Sequence, residues 1–235
     1  MMKRGLAVSL VLVVLASAGI VFGLVAKGEE SFAKLMEGNK RFVSLAPEKY
    51  DLDAKRKACT LGQNPSAIVV ACSDSRVAPE IIFDQCLGDV FVVRVAGNVL
   101  DPVTLGSIEY AAEHLHTPLL VILGHEKCGA VAATLDAKGK PEGNIGAIVR
   151  KIMPAVKKAQ MKGGSREDML NNAIRENVLL SQNYMLRKSP VLKHLIEKGE
   201  LKVVTAMYHF GSGEVEILGA AAPAPAAPPQ KTAAR

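Results

Sequence analysis

The sequence predicts an α/β fold in which a mostly parallel central β-sheet is flanked by helices. Three short apolar runs, 67–71, 119–123 and 90–96, the last with Arg94 as its one charged residue, have the length and composition of strands that are buried on both faces. Amphipathic stretches with helical spacing lie between and beyond them, and such alternation is typical of a parallel sheet. Because 49% of the 235 residues are hydrophobic, the chain can bury one sizeable core.

The other elements follow in chain order. The predicted helices cover 30–45, 104–115, 128–135, 145–160, 166–188 and 191–197. Pro154 is expected to kink or interrupt the fourth of them, because proline lacks the backbone N–H that a helix interior requires. Two further strands, 201–208 and 214–218, flank the glycine turn at 211–213.

Both ends of the chain are predicted to lie outside a single domain at 27–218. In residues 1–26 a basic start precedes a long uncharged stretch with a small-residue cleavage pattern, which indicates a signal peptide for export to the periplasm. The same stretch is long enough to remain as an uncleaved membrane anchor, the one case in which we expect membrane contact. Residues 219–235, rich in Ala and Pro, are predicted to form a disordered tail.

Charge and composition argue against a nucleic-acid partner. The net charge is +6, but two of the positive charges, Lys3 and Arg4, belong to the predicted leader. The chain has no Trp and shows no basic stripe interleaved with aromatic residues. Four cysteines in a chain of this length do not form a disulfide scaffold.

Residue types that bind metals follow two of the buried strands. Cys72–Arg76 comes directly after the first strand, and Gly124–Cys128 comes after the third. Because ligands bind at the carboxyl ends of parallel strands, we expect Cys72, His125 and Cys128 to meet. Two thiolates and one imidazole make a three-ligand zinc site with an open fourth position, as in catalytic centres. A disulfide between the two cysteines is the competing interpretation in an oxidising compartment.

Asp74 and Arg76 lie in the same loop as the first of these cysteines. A free Asp74 carboxylate could itself become the fourth metal ligand and close the site. A bidentate bond to the Arg76 guanidinium would hold the carboxylate away from the metal and keep it ionised.

These two segments resemble the zinc motifs of the β-class carbonic anhydrases, and the resemblance extends from about residue 30 to residue 218. It implies one Zn²⁺ per chain and the reversible hydration of carbon dioxide to bicarbonate and a proton, by attack of zinc-bound hydroxide on CO2. It also implies that Asp74 orients the hydroxide and that Arg76 holds Asp74.

The resemblance further implies a CO2 pocket formed by Gln63, Phe91 and Tyr110, with Ala96 at a position where the family often has a larger apolar residue. In the family the first three come from a partner chain. The resemblance therefore implies a homodimer or higher even oligomer, with the N-terminal helix packing across it. Gln63 and Tyr110, in a chain without Trp, indicate the open subclass, in which water is the fourth ligand.

Several alternatives stay open at this point. The same fold and site resemble enzymes that hydrolyse carbonyl sulfide or carbon disulfide, and a non-catalytic zinc-binding homologue would keep the fold alone. A secreted, disulfide-bonded binding module is a third reading. Cys59 and Cys86 are expected to be either free thiols or a disulfide.

Overall fold

A computed structural model describes residues 27–139, 141 and 143–221. Its five strands are β1 (Ala67–Ala71), β2 (Val90–Arg94), β3 (Leu119–His125), β4 (Lys202–Tyr208) and β5 (Val215–Ala221). They form one sheet in the order β2-β1-β3-β4-β5, in which only β5 is antiparallel to its neighbour. The predicted mostly parallel sheet is therefore confirmed. The predicted signal segment, 1–26, lies outside the described residues, as does 222–235 of the predicted tail.

Helices cover both faces of this sheet. They are α1 (27–43), α2 (Leu52–Ala58), α3 (Pro79–Ile82), α4 (Pro102–Glu109), α5 (Gly129–Leu135), α6 (Ile145–Lys162), α7 (Arg166–Lys188) and α8 (Pro190–Glu197). Ile68 and Val70 of β1 pack into one buried cluster with the helices from α4 to α8, whereas Val69 packs into the cluster that α1 covers. The alternation of strand side chains thus places a core on each face of the sheet.

The strand order places β1 and β3 in the middle of the sheet, where every residue of both strands is buried. Ala71, the last residue of β1, is paired with Leu123, and His125 ends β3 beside Tyr208. The loops that follow β1 and β3 therefore leave the same edge of the sheet, next to each other. By contrast, β2 is an edge strand, and its first three residues are only half-buried.

Several boundaries differ from the predicted ones. The predicted helix 104–115 begins at Pro102, after the Asp101 capping box, and its last turn, Tyr110–His114, is a π-turn. The predicted interruption at Pro154 is wrong, since α6 runs through it while its buried face packs on the core. β5 ends at Ala221 rather than at residue 218, so the first three residues of the predicted tail belong to the sheet, and its pairing with β4 shifts register between Thr205 and Ala206. Within the described residues, no helix has both the length and the apolar composition that crossing a membrane requires.

Candidate metal centre

The three predicted ligands come together at the carboxyl edge of the sheet. Cys72 directly follows β1, His125 is the last residue of β3, and Cys128 is the N-cap of α5. One ligand atom from each residue lies within 4.8 Å of the other two. Their exposed fractions are only 4%, 0% and 1%, so the cluster is shielded from bulk water.

Close packing and a tight turn produce this convergence on the β3 side. A side chain at Gly124 would place its Cβ 2.4 Å from Cγ2 of Val178, so only glycine lets α7 approach the strand end. Lys127 then adopts a left-handed backbone conformation with φ of 52°, which is uncommon for a residue with a side chain. This turn brings His125 and Cys128 to the same point.

The ring of His125 is oriented for metal binding through Nε2. Its Nδ1 lies 2.9 Å from the carbonyl oxygen of Glu126. Because a carbonyl can only accept a hydrogen bond, Nδ1 carries the proton and Nε2 has the free lone pair. Nε2 is buried and has no hydrogen-bond partner among the described residues. A buried imidazole nitrogen without a partner, beside two cysteine sulfurs, is the donor set that suits zinc.

The sulfur of Cys72 is placed to carry negative charge. The Gly97 N–H donates a hydrogen bond to Sγ at 3.1 Å. The pKa of Cys72 is lowered, chiefly because the Cys128 thiol donates a hydrogen bond to it, and burial opposes this effect only in part. All four cysteines are free thiols in the structure, so the competing disulfide between Cys72 and Cys128 is not formed.

Asp74 is held by Arg76 in a two-pronged ion pair. Nε of Arg76 lies 2.9 Å from Oδ1, and Nη2 lies 2.8 Å from Oδ2. The Arg76 backbone N–H also donates to Oδ1 at 3.0 Å. These bonds, the side-chain bonds above all, hold the pKa of the Asp74 carboxyl well below its usual range. Both carboxylate oxygens are thereby engaged by Arg76, and the carboxylate is ionised.

Comparisons with known proteins find relatives along most of the chain. The sequence profile of the carbonic anhydrase family matches residues 67–215, which include both metal loops. A carbonic anhydrase of Mycolicibacterium smegmatis is 42% identical over 187 residues, which cover 78% of this chain and 89% of the relative. The chain belongs to the β-class carbonic anhydrase family. It is accordingly a carbonic anhydrase enzyme, and hydration of CO2 is the general reaction of the family.

Solved β-carbonic anhydrases share the fold. The β-carbonic anhydrase CafA of Aspergillus fumigatus has a TM-score of 0.65 and 32% identity, and the match covers 73% of this chain and 83% of that one. A tetrameric β-carbonic anhydrase of Sordaria macrospora has a TM-score of 0.66 and 26% identity, with coverage of 71% and 87%.

The predicted pocket residues of this β-class chain fall into two groups. Phe91 and Tyr110 lie together, with ring centroids 6.4 Å apart, and Tyr110 is 47% exposed. Ala96 is half-buried in the turn that also carries Gly97. Gln63 is exposed in the loop before β1, and in the described part of the chain it makes no side-chain hydrogen bond to the metal loops. A single chain therefore brings Phe91 and Tyr110 together but leaves Gln63 on the surface.

Phe210 lies in the layer behind the metal loops, and sequence reasoning missed it. The ring of Phe210 lies 5.4 Å from the His125 ring, centroid to centroid. The same ring supports the Arg76 guanidinium, whose central carbon is 4.2 Å from the ring centroid. The Phe210 backbone N–H donates to Oε1 of Glu126 at 2.8 Å. One aromatic side chain thus contacts both a predicted metal ligand and the residue that holds Asp74.

Arg94, at the end of β2, fixes the backbone of the first loop. Its Nε donates to the Cys72 carbonyl at 3.1 Å, and its Nη2 donates to the Asp74 carbonyl at 2.6 Å. Its position at a strand end was a visible signal, but the two acceptors are 20 and 22 residues away in the sequence. Only the parallel pairing of β1 with β2 brings them within reach.

Proposed function

We propose that this chain catalyses the reversible hydration of CO2 to bicarbonate and a proton with one Zn²⁺, held by Cys72, His125 and Cys128. The observation that carries the proposal is the contrast between the ligand cluster and Asp74, which lies two residues from Cys72. The two thiols and the imidazole converge, whereas both oxygens of Asp74 are engaged by Arg76. The cluster therefore has three protein ligands rather than four, the arrangement of a catalytic zinc site. When bound, zinc would supply Lewis-acid activation of a water molecule at neutral pH.

Asp74 has a separate role in the proposal. An ionised carboxylate can only accept hydrogen bonds, so Asp74 accepts one from the attacking water and orients its lone pair toward the carbon of CO2. Arg76 keeps the carboxylate ionised and directs it away from the ligand cluster. The side chain of Asp74 is mostly buried, whereas that of Arg76 is half-exposed, so the arginine is the member of the pair that faces solvent.

The proposed substrate pocket needs a second copy of the chain. Phe91 and Tyr110 form a small aromatic surface at the half-buried edge strand β2 and the end of α4. We propose that they contribute, with Gln63, to the CO2 pocket of a partner chain in a homodimer or higher even oligomer, and that α1 packs across the interface. The tetrameric assembly of the Sordaria relatives supports an even oligomer. Light scattering coupled to gel filtration tests it, and an active monomer would contradict it.

The direct test is zinc content together with CO2 hydration by stopped flow on the purified protein. We expect one zinc per chain and a high kcat/KM for CO2. Carbonyl sulfide and carbon disulfide are assayed in parallel, and preference for either would overturn the assignment of substrate. A zinc-free protein that hydrates CO2 would overturn the proposed role of the metal.

The cluster of three ligand residues and the engagement of Asp74 by Arg76 support the open subclass. We expect kcat/KM for CO2 to rise with pH between about 6.5 and 9 as a single titration, because one dominant group changes charge. The same profile is measured with added bicarbonate. A steep, multi-proton loss of activity below about pH 8 that bicarbonate deepens beyond product inhibition would show a closed resting state instead.

We also propose export to the periplasm, directed by residues 1–26. The basic start, the uncharged stretch and the small-residue cleavage pattern in the sequence support it. Fractionation of a Gram-negative host that expresses the full chain is the test. We expect the protein in the periplasm, or on the inner membrane if the segment is retained. Full-length protein in the soluble cytoplasmic fraction would contradict the proposal.

A further inference from the structure

A second candidate site lies between α6 and α7, away from the predicted catalytic residues. It is a cavity of about 200 Å³, with apolar walls and a polar floor. The residues that line it are Val99, Leu100, Arg150, Lys151, Pro154, Asn177, Leu180, Ser181, Tyr184 and Arg187. This volume is below the ~300–1,000 Å³ of pockets that take drug-sized ligands, so the cavity suits a compact molecule.

Three cationic side chains line this cavity. None of Arg150, Lys151 and Arg187 has a carboxylate within 4.0 Å among residues 27–139, 141 and 143–221. By contrast, Lys158 farther along α6 is paired with Glu176 at 3.1 Å. Asp101 attracts Lys151 from beyond ion-pair distance, but the three positive charges around one cavity still repel one another, and a bound anion would relieve that repulsion.

An aromatic ring positions one of these cations. Nζ of Lys151 lies 4.4 Å from the centroid of the Tyr184 ring. A cation held over an aromatic face keeps its remaining N–H donors for another acceptor. Arg150 and Arg187 are exposed at the rim, whereas Lys151 is half-buried. The positive charge therefore extends from the mouth into the cavity.

The floor is polar and deeply buried. Asn177 and Ser181 are 2% and 5% exposed. Nδ2 of Asn177 donates to the Gly97 carbonyl at 2.7 Å, and the Ser181 hydroxyl donates to the Asn98 carbonyl at 3.0 Å. Because the Ser181 proton and the Asn177 amide are already bonded to the turn at Gly97 and Asn98, the floor ties the cavity to that turn, and the cationic side chains are the groups available to a ligand.

We propose that this cavity binds a compact oxyanion with at least two negative charges, such as inorganic phosphate. Guanidinium groups match the oxygens of such an anion with paired N–H donors. Two or more negative charges are needed because three cations face the cavity, and a monovalent anion would leave most of the repulsion in place.

The occupied cavity would be linked to the metal loops through two hydrogen bonds. Asn177 on the floor holds the Gly97 carbonyl, and the N–H of the same Gly97 donates to Cys72 Sγ. Gly97 has φ of 69° and is packed against Ile152 of α6, so its position depends on the helix that lines the cavity. Anion binding should therefore alter the surroundings of the Gly97 amide.

Isothermal titration calorimetry of the purified, metal-loaded protein with phosphate, at constant ionic strength, tests the site. Arg187→Gln should weaken binding about tenfold, the cost of one charge-assisted bond. Lys188→Gln is the matched control, because it removes the same charge from the next position of α7 and does not line the cavity. Equal affinity in both variants, or no phosphate binding in the unmodified protein, would overturn the proposal.

Four further measurements test the cations, the charge requirement, the identity of the anion and the link to Cys72. Lys151→Gln should weaken binding as Arg187→Gln does, and sulfate should bind while acetate binds far more weakly. Acetate binding as tight as sulfate binding would contradict the charge requirement. A phosphate monoester that binds more tightly than phosphate would identify a phosphorylated small molecule as the occupant, and the reverse order would identify a free anion.

The link to Cys72 is tested by NMR with ¹⁵N-glycine labelling. The resonance of the Gly97 amide should shift on titration with phosphate in the Lys188→Gln variant, whose cavity is intact, and an unmoved resonance would refute the link.

Discussion

The loop after β1 and the loop after β3 supply ligands to one cluster, but they are held in different ways. The first is fixed by charged side chains, since Arg76 donates two hydrogen bonds to the Asp74 carboxylate and Arg94 donates to two backbone carbonyls. The second is fixed by its backbone and by packing, through the left-handed turn at Lys127 and the start of α5 at Cys128. All three ligands are buried, whereas half of the Arg76 side chain, which fixes the first loop, is exposed.

This difference predicts a separation of effects. Changes to the three ligands, Cys72 of the first loop included, should remove the metal, because they take a donor out of one buried cluster. Changes at Asp74 or Arg76 should leave the metal in place and lower turnover alone, because the ion pair does not belong to the ligand set. The predictions below test this separation, from the largest expected effect to the smallest.

Cys128→Ser should abolish most zinc binding. A serine hydroxyl stays protonated near neutral pH and is a poor zinc ligand. Loss of a residue that only hydrogen-bonds a metal ligand lowers metal affinity by up to ~100-fold. Loss of a ligand itself should lower the affinity for zinc by more than that, and CO2 hydration should fall with it. Metal analysis and stopped-flow assays measure both. Cys59→Ser, at a half-buried cysteine that is not in the cluster, is the control and should keep its zinc. A Cys128→Ser variant with one zinc per chain would refute the ligand assignment.

Asp74→Asn should keep its zinc and lose kcat/KM for CO2 by about 100-fold or more, a typical cost of losing a positioned proton acceptor. The amide that replaces the carboxylate cannot accept from the substrate water and from Arg76 in the same way. Asp136→Asn is the matched control, because Asp136 is also paired with an arginine, Arg166, but at an exposed site. Near-normal kcat/KM in Asp74→Asn would remove Asp74 from the mechanism.

Arg76→Lys should lower kcat/KM by about tenfold without loss of zinc, because lysine keeps the charge but cannot form the two parallel bonds to Asp74. Arg166→Lys makes the same change in the pair with Asp136 and should leave activity unaltered. If Arg76→Lys lost zinc, the proposed separation between the ligands and the ion pair would fail.

The metal cluster and the sheet were predictable because each depends on local sequence. The apolar runs of β1 and β3 specify buried strands, and Cys72 and His125 lie at their ends. Topology alone then brings the two loops together. The same reasoning missed α2, whose residues are all at least partly exposed, so that it has no apolar periodicity to detect. It also missed α3, a single turn that begins with a proline.

The layer behind the loops could not be predicted for a different reason. Phe210 is separated by more than 80 residues from Glu126, the acceptor of its backbone N–H. Its contact with Arg76 depends on how the turn after β4 folds back over the first loop. Such contacts follow from tertiary packing, and no spacing in the sequence records them.

Phe210→Leu should give the smallest of these effects, because Phe210 acts on the chemistry only through Arg76 and His125. Leucine fills most of the volume but has no aromatic face to support the guanidinium. Such a cation–π contact at an exposed arginine is worth ~0.5–1 kcal/mol, which predicts a loss in kcat/KM of about two- to fivefold with zinc retained. Phe42→Leu is the matched control, since its ring packs near Tyr208 rather than on Arg76.

A merely structural role for Phe210 can be separated from a positioning role by a double-mutant cycle. If its ring acts by steadying Arg76 and so Asp74, Phe210→Leu should have no further effect on kcat/KM once Asp74→Asn is present, because the group being positioned is already gone. The change in melting temperature that Phe210→Leu causes should be the same in the unmodified protein and in the Asp74→Asn variant. An undiminished loss of activity in the Asp74→Asn background would show that Phe210 acts through His125 instead. The aromatic ring would then act on a metal ligand, and the separation between the ligands and the ion pair would not hold for the residue that contacts both.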